Sequence, residues 1–505
     1  MSYISSMPRE QLMLPISIDD YVCSDNIVRF IDVFVDKVSC AYPELFLHKN
    51  KSLEGRPGYN PASLCKLLLY GYMNYISSSR KLETESKRNL EVIWLMNNLH
   101  PDHWTISNFR KENKSAIKRV TLDFRLFLKQ SGYISVNSVS TDGTKIKAYA
   151  SRDTISMKLI DKKLSQLEQE IERYFNRLDE TDAIEDEQSE LLSSSQELKS
   201  QIDSLQKQVY SLKSDKALLE ALGRNSLAPA DHEARIMKTK DGFLPAYNVQ
   251  TTVDNASHFI TSCQVTDREN DYHSLEENIN TLHNELGILP EQVLADAGYA
   301  NEKQIRDLEA QGLECIVAFP QETELKKTQR ENGISFRYDD KRDCFICSQS
   351  TVLLLAQKKC KKKNQYYSRY QAKDCSWCPK KQLCTSSKTG RTVFRRLDGE
   401  WLEAYREKMK TSDFKEKFKP RKCVVEHPFG TMKYLMGQIP ILLRGIKKVQ
   451  IEMDLYATAY NLKHLSKIEK VPVLLEKLAQ WKPVLAAQQF LSSFFYKTAV
   501  ISIFR

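Results

Sequence analysis

Three carboxylates, a cluster of cysteines and a run of lysines have the residue types and spacing that could do chemistry in this chain. Asp142 closes a stretch in which Ile134, Val136 and Ser138 alternate with Ser135, Asn137 and Val139, a period of two that predicts a strand. Asp296 follows the short apolar run Glu291–Ala295, which also reads as a strand. Ligands and metals collect at strand ends in an open α/β sheet. Alone, each motif is weak: Asp142-Gly143 reads first as a turn dipeptide leading into a second strand near Lys145–Ala150. A third carboxylate, Glu426, stands at the expected start of a helix, with Pro428 in its first turn. Lys433 lies two turns on and shares its face. The plain alternative for Glu426 is a helix-start carboxylate favoured by the macrodipole.

Of the twelve cysteines, Cys344, Cys347, Cys360, Cys375, Cys378 and Cys384 fall within 41 positions. Two CxxC pairs, 344/347 and 375/378, about thirty residues apart make a zinc-ribbon-like signal, with reduced thiols as the alternative. Beside them runs Lys358-Lys359-Cys360-Lys361-Lys362-Lys363, followed by Tyr366, Tyr367, Arg369 and Tyr370. Such a run is either a solvated face or a contact to the DNA backbone, and the interleaved aromatics suit the second. The same choice holds for Arg406–Lys422, with eight basic and three acidic residues directly before Glu426.

The elements that must position these groups change character along the chain. Residues 1–130 read as helical: Asn60 caps, Pro61 fits a first turn, and Leu64, Leu67, Leu68 and Gly71 keep helical spacing. Further helices are expected over Ser79–Asn98 and Thr105–Gln130, their basic residues forming a solvated face or a helix-turn-helix-like DNA contact. From 155 to 222 a heptad pattern runs through Leu164, Leu167, Ile171, Tyr174 and Leu178. It breaks at Asp179–Ala183 and resumes at Ile184, Leu191, Leu198, Ile202, Leu205, Val209, Leu212 and Leu219. One straight helix of that length would part its ends by roughly 90 Å. If Asp142 and Asp296 are to share a metal, the segment has to fold back as a coiled-coil hairpin. Strands at Pro245–Val253 and His258–Val265, a helix at His273–Leu286, a strand at Glu291–Ala295, a helix at Glu302–Gln311 and a strand at Cys315–Phe319 make an α/β core. Helices resume from Gly399.

Composition bounds the function class. With 505 residues, 41% hydrophobic and 28% charged, the chain is neither disordered nor fibrous. Its net charge of +10 weakly suits a polyanion partner. No apolar run reaches membrane-spanning length, because Phe490–Phe504 is interrupted by Lys497. A soluble cytoplasmic protein without a membrane partner is expected.

In their order along the chain, DGTKIKA (142–148), DHEARIMKTKDGFLPAYNVQTTVD (231–254), ADAGY (295–299), RKCVVEHPFGTMK (421–433) and Tyr460-Asn461-Leu462-Lys463 resemble one group of DDE transposases of bacterial insertion sequences. NPASLCKLLLYGY near the N-terminus belongs to the same resemblance, which covers most of the chain. It implies a ribonuclease-H-like α/β core carrying an acidic triad, Asp142, Asp296 and Glu426. Two Mg²⁺ ions (Mn²⁺ can substitute), bridged by Asp142, would stabilise the entering and leaving oxygens of phosphodiester cleavage and strand transfer. The partners implied are double-stranded DNA at element ends and target, and further copies of the chain on that DNA. DNA contacts are expected at Arg421, Lys422, Lys433, Lys361, Lys362 and Lys363. One departure stands out: the family's arginine four residues before the glutamate is Lys422 here, beside Arg421, which puts a bidentate phosphate contact in doubt. The resemblance also favours Cys347, Cys375, Cys378 and Cys384 as Zn²⁺ ligands, with Cys344 as the substitute.

The expected organisation follows. An all-α DNA-binding domain spans 1–130, and the core is split between 131–154 and 223–333. A coiled-coil hairpin occupies 155–222 and a zinc-type insertion 334–396. The segment 397–470 completes the core, and 471–505 is a tail. Rival readings are a catalytically silent DNA-binding derivative or regulator, and a structural-maintenance-type coiled-coil protein. The second lacks its expected Walker A lysine motif.

Overall fold

The computed structural model describes residues 17–47, 58–150, 154–182, 191–319, 329, 331–362, 365–388, 390–397, 399–436 and 441–483. It is a mixed α/β structure that divides into two compact units, 1–293 with 421–505, and 294–420.

The first unit opens with helices whose ends are set by asparagines. Asn26 caps α1 (Ile27–Ala41) and Asn60 caps α2 (Pro61–Met73), each side chain accepting a backbone N–H of the first turn. The helix expected over Ser79–Asn98 is two, α3 (Ser79–Arg88) and α4 (Leu90–Leu95), because the Asn89 side chain takes the N–H groups of Glu91 and Val92 and starts a new helix. Asn113 lies between α5 (His103–Glu112) and α6 (Lys114–Gln130), its side chain donating back to the Phe109 carbonyl (3.3 Å) rather than capping α6. Phe30 and Phe34 of α1 pack with Phe124 and Phe127 of α6 into an aromatic core.

After α6 the chain enters β1 (Ser138–Lys147), an unbroken strand. The turn expected at Asp142-Gly143 is therefore absent, and Asp142 sits mid-strand. Next come β2 (Ile155–Ser156), α7 (Met157–Asp182), α8 (Leu191–Leu222) and β3 (Ser226–Leu227). The two long helices pack on each other, linked by Lys216–Asp161 (2.7 Å) and Lys213–Glu168 (3.3 Å). At their base, β2 pairs antiparallel with β3, Ile155 opposite Leu227, so the ends of the insertion are tied together. Ile160, Leu164, Leu219 and Leu227 form the buried base of this helical hairpin, flanked by Val209 and Leu212, all but Ile160 and Leu227 on the heptad positions. Asp179 to Asp182 are helical, which corrects the break expected from Asp179; residues 183–190, Ala183 and Ile184 among them, lie outside the described residues. The side chains of Leu178, Leu191 and Leu198 are likewise outside what is described.

Beyond the hairpin, β4 (Arg235–Thr239), β5 (Gly242–Asp254) and β6 (Ile260–Thr266) complete an antiparallel sheet with β1. Asp142 lies opposite Thr251. One face is covered by α9 (Leu275–Leu286), whose Asn278 donates to Thr141 Oγ1 at 2.8 Å.

In the second unit, the end of β7 (Gln292–Ala295) pairs with β8 (Glu314–Val317) around α10 (Glu302–Ala310). An antiparallel five-stranded sheet follows, β9 (Phe336–Asp339), β10 (Cys344–Cys347), β11 (Val352–Lys362), β12 (Gln365–Ala372) and β13 (Thr392–Arg396), in sequential order. A short α11 (Lys381–Cys384) sits between β12 and β13. Helices α12 (Glu400–Lys410) and α13 (Ser412–Phe418) end the unit. Tyr405 anchors α12 by donating to the Cys315 carbonyl (2.7 Å) and accepting from Val317 N–H (2.9 Å).

The chain then returns to the first unit through α14 (Arg421–Met436), α15 (Ile446–Ile468) and α16 (Val471–Gln480). Because α14 begins at Arg421, Glu426 is in its body and Pro428 is inside it, which corrects the expected helix start at Glu426. Val424, Val425, Pro428, Phe429 and Met432 form one buried stripe, and α14 packs on β1, β5 and α15. That burial offsets the N–H that Pro428 cannot donate. Along α15, Glu452 and Asp454 are buried but answered: Glu452 accepts the Leu442 and Leu443 N–H groups, and Asp454 faces Arg125 at 3.8 Å. Arg125 also pairs with Glu285 at 2.9 Å. Among the described residues, no helix is long and apolar enough to cross a membrane.

Candidate active site and cysteine cluster

Strand alternation gives β1 two faces. Thr141 and Gly143 look towards α9, where Asp271 accepts hydrogen bonds from Asn248 (2.6 Å) and Gln250 (2.6 Å) and pairs with Lys145 (3.5 Å). A Cβ on Gly143 would collide with Gln250 and Asp271, which accounts for the glycine in mid-strand. Asp142 looks to the opposite face, towards α14. Its Oδ1 accepts the Gly143 N–H at 2.9 Å and lies 3.3 Å from Arg421 Nη2. Arg421 is mostly buried, with 11% of its side chain exposed against 22% for Asp142.

The same helix carries Glu426 and Lys433, both exposed, on one face two turns apart. Partial desolvation of the Lys433 ammonium, together with the like charge of Lys240, lowers its pKa from the usual lysine value, and Asp142 opposes the drop. Asp142 is thus among the charges that act on Lys433. Lys422 is exposed. Arg421, expected on DNA, is engaged on Asp142. What this arrangement offers is one accessible carboxylate held beside a guanidinium at a sheet face, a hard oxygen donor of the kind a divalent ion takes.

Asp296, in the second unit, follows β7 as expected and caps the short turn Ala297–Tyr299, its Oδ1 accepting Gly298 N–H at 2.8 Å. Among the described residues, no group of three or more His, Cys, Asp or Glu side chains stands arranged to hold a metal ion.

The second unit gathers the cysteines. Cys347, Cys375, Cys378 and Cys384 line one cavity of about 30 Å³, room for a single ion or water. Cys347 Sγ accepts the N–H groups of Gln349 (3.4 Å) and Thr351 (3.3 Å). Burial raises the pKa of Cys384, as do the neighbouring Cys375, Cys378 and Cys347, while Arg391 opposes them. Cys344 is buried in β10 at an odd spacing from Cys347, hence on the other face of the sheet, and it does not line the cavity. Cys360 lies on β11 and donates to the Tyr367 carbonyl instead. The lysine run is part of β11 rather than a loop. Lys361 is exposed there, Lys359 sits 4.5 Å over the Tyr366 ring, the Lys362 side chain is not described and Lys363 lies outside the described residues.

Two features escaped the sequence. Asp271 gave no signal because its partners come from two other strands, β1 and β5. A group of tyrosines and histidines beside α14, treated below, is likewise assembled from distant positions.

Residues 344–466 match the model of a family described as a transposase DDE domain, a span that includes Glu426 but neither aspartate. Residues 16–112 match a transposase domain family (DUF772). No curated protein and no solved structure matches the chain.

Proposed function

We propose that this chain, which belongs to the DDE-type transposases of insertion elements, binds the terminal inverted repeats of its element, cleaves the DNA there and joins the ends to target DNA. The observation that supports the finer reading is Asp142 on the sheet face that α14 packs across, paired there with Arg421 of the helix that also carries Glu426 and Lys433. In this reading Asp142, Asp296 and Glu426 hold Mg²⁺ within a ribonuclease-H-like core. The residues suit that ion: Asp142 and Glu426 are accessible carboxylates, and Arg421 already supplies Asp142 with positive charge as a cation would. Bound Mg²⁺ would stabilise the charge that develops on the entering and leaving oxygens. The chain's own groups do the rest. Lys433, its ammonium partly desolvated, contacts a phosphate near the scissile bond, and exposed Lys422 holds the backbone. Arg421 holds the Asp142 carboxylate in place until DNA and metal arrive.

The cysteine cavity supports a separate structural role. We infer that Cys347, Cys375, Cys378 and Cys384, which line one cavity without standing in a metal-holding arrangement, would draw together on one Zn²⁺ and so fix the ends of β10 and α11 to the loop after β12.

The test of the catalytic reading begins with the DNA flanking the gene. A duplex ending in the inverted repeats found there should be cut by the protein with Mg²⁺ and left intact by Glu426→Gln, which should still bind it. Cleavage by that variant at the wild-type rate would remove Glu426 from the site.

A further inference from the structure

One turn along α14 from Glu426, a cavity of about 310 Å³ opens in the first unit, beside Tyr75, His427, Tyr434, Tyr460, Lys463 and His464. Its walls are aromatic and its rim is cationic. Tyr75 and Tyr434 meet edge to face with ring centroids 5.1 Å apart, yet they are 42% and 72% exposed. Behind them Tyr460 and His464 lie nearly parallel, 17° apart, and His427 Nδ1 is 3.3 Å from the Tyr460 hydroxyl. Burial lowers the His464 pKa, and nearby His258, His427 and Lys467 add to that against its bond to the Ser257 carbonyl, so at neutral pH it presents an uncharged ring. The Lys463 ammonium stands 4.0 Å over the Tyr75 ring.

Two backbone features keep this space open. Tyr75 has φ +64°, a left-handed conformation that a bulky residue rarely adopts, and such outliers cluster at functional sites. Gly430 lies in α14, where glycine costs helix stability, and a Cβ there would meet nothing within 4 Å. The glycine is therefore not required by crowding; it leaves the cavity unfilled.

We propose that this cavity binds a single unpaired nucleotide of the DNA substrate, its base against Tyr75 and Tyr434 and its phosphate on Lys463 and Lys467. The volume is at the lower end of small-ligand sites, roughly 300–1,000 Å³, which suits one nucleotide rather than a folded partner. Exposed aromatic faces beside lysines are what a flat, π-faced polyanion requires. The proposal rests on the reading that the neighbouring Glu426 acts on DNA, and it adds that the DNA is locally unpaired when held.

The test compares one duplex sequence, blunt or with a short single-stranded overhang, by fluorescence anisotropy in EDTA, with Mg²⁺-dependent cleavage measured in parallel. Stacking is worth on the order of 5- to 150-fold in affinity per base, and wild type should prefer the overhang within that range. Tyr434→Ala should abolish the preference and Tyr434→Phe should keep it. Gly430→Leu, whose Cβ meets nothing within 4 Å and whose side chain would enter the cavity, should abolish it too. Lys463→Ala should lower the salt slope by about one. If wild type shows no preference, or if Tyr434→Ala and Gly430→Leu both retain it, the proposal is overturned. A preference that survives in Glu426→Gln while cleavage is lost supports it. A preference in a wild type that cleaves nothing supports it while refuting the catalytic reading, so the two can fail separately.

Discussion

The ion pair between Asp142 and Arg421 makes the substitution Asp142→Asn informative in two currencies at once. Removing one partner of a buried pair costs on the order of 3–5 kcal/mol. Here the cost should be smaller. Asp142 retains some exposure, and the asparagine amide oxygen can still accept from Gly143 N–H and from Arg421. About 1–2 kcal/mol of lost stability is expected, a fall of a few degrees in Tm. Arg421→Gln breaks the same pair from the other side and should cost about as much, with a coupling of roughly 0.5–3 kcal/mol in the double-mutant cycle. Urea unfolding of the four proteins measures that coupling. Cleavage of end-bearing DNA then separates the roles. If Asp142 holds a catalytic metal, Asp142→Asn should abolish cleavage with end binding retained. Arg421→Gln, equally destabilised, should keep cleavage to within about tenfold. Asp142→Asn cutting at the wild-type rate would refute the reasoning and reduce Asp142 to a structural partner of Arg421. Equal loss of cleavage in both variants would refute it as well, since the pair and not the carboxylate would then be what matters.

Three further outcomes are expected. Elemental analysis of purified protein should find about one Zn²⁺ per chain, and chelation should expose residues 340–390 to protease, as structural zinc contributes directly to folding; metal-free protein with unchanged resistance there would sink the assignment. Replacing 156–222 by a short Gly/Ser linker should leave a folded core, because β2 and β3 already bring the ends together, and should impair assembly on paired DNA ends; a wholly unfolded product would show that the hairpin belongs to the core. Burial raises the pKa of Asp454 to about 7, against Arg125, and that of Asp123 to about 6, against Arg119. The folded state therefore holds protons that the unfolded chain releases near pH 3.9, so stability should fall as pH rises from about 4 to about 7 and level off above. Asp454→Asn should flatten that slope in urea midpoints, and an unchanged slope would exclude Asp454 as its source.

What the sequence made legible was whatever local chemistry decides. Asn60 with Pro61 sets the start of α2, and the heptads from Leu164 to Leu219 fold back on each other. Where tertiary partners decide, local reading failed. Asp142-Gly143 carries turn chemistry, but Gly143 is a glycine because Asp271 and Gln250 occupy the space its side chain would need, and the pairing of β1 with β5 keeps the strand straight through it. Pro428 marks a helix start by propensity alone. The apolar stripe Val424, Val425, Phe429 and Met432 instead runs on both sides of it, and burying that stripe against the sheet outweighs one missing hydrogen bond. The cysteines fall between the two cases. Spacing named six and the resemblance preferred Cys347 to Cys344; the alternation of β10 puts those two on opposite faces, and four thiols line one cavity. Least legible was the aromatic cavity. Tyr75 ends a turn after α2 and Tyr434 lies near the end of α14, so nothing local relates them. Their rings meet because α2 and α14 both pack on α15, which carries Tyr460, Lys463 and His464 along one side. A buried helix chosen for packing thus also fixes which exposed side chains can act together beside Glu426.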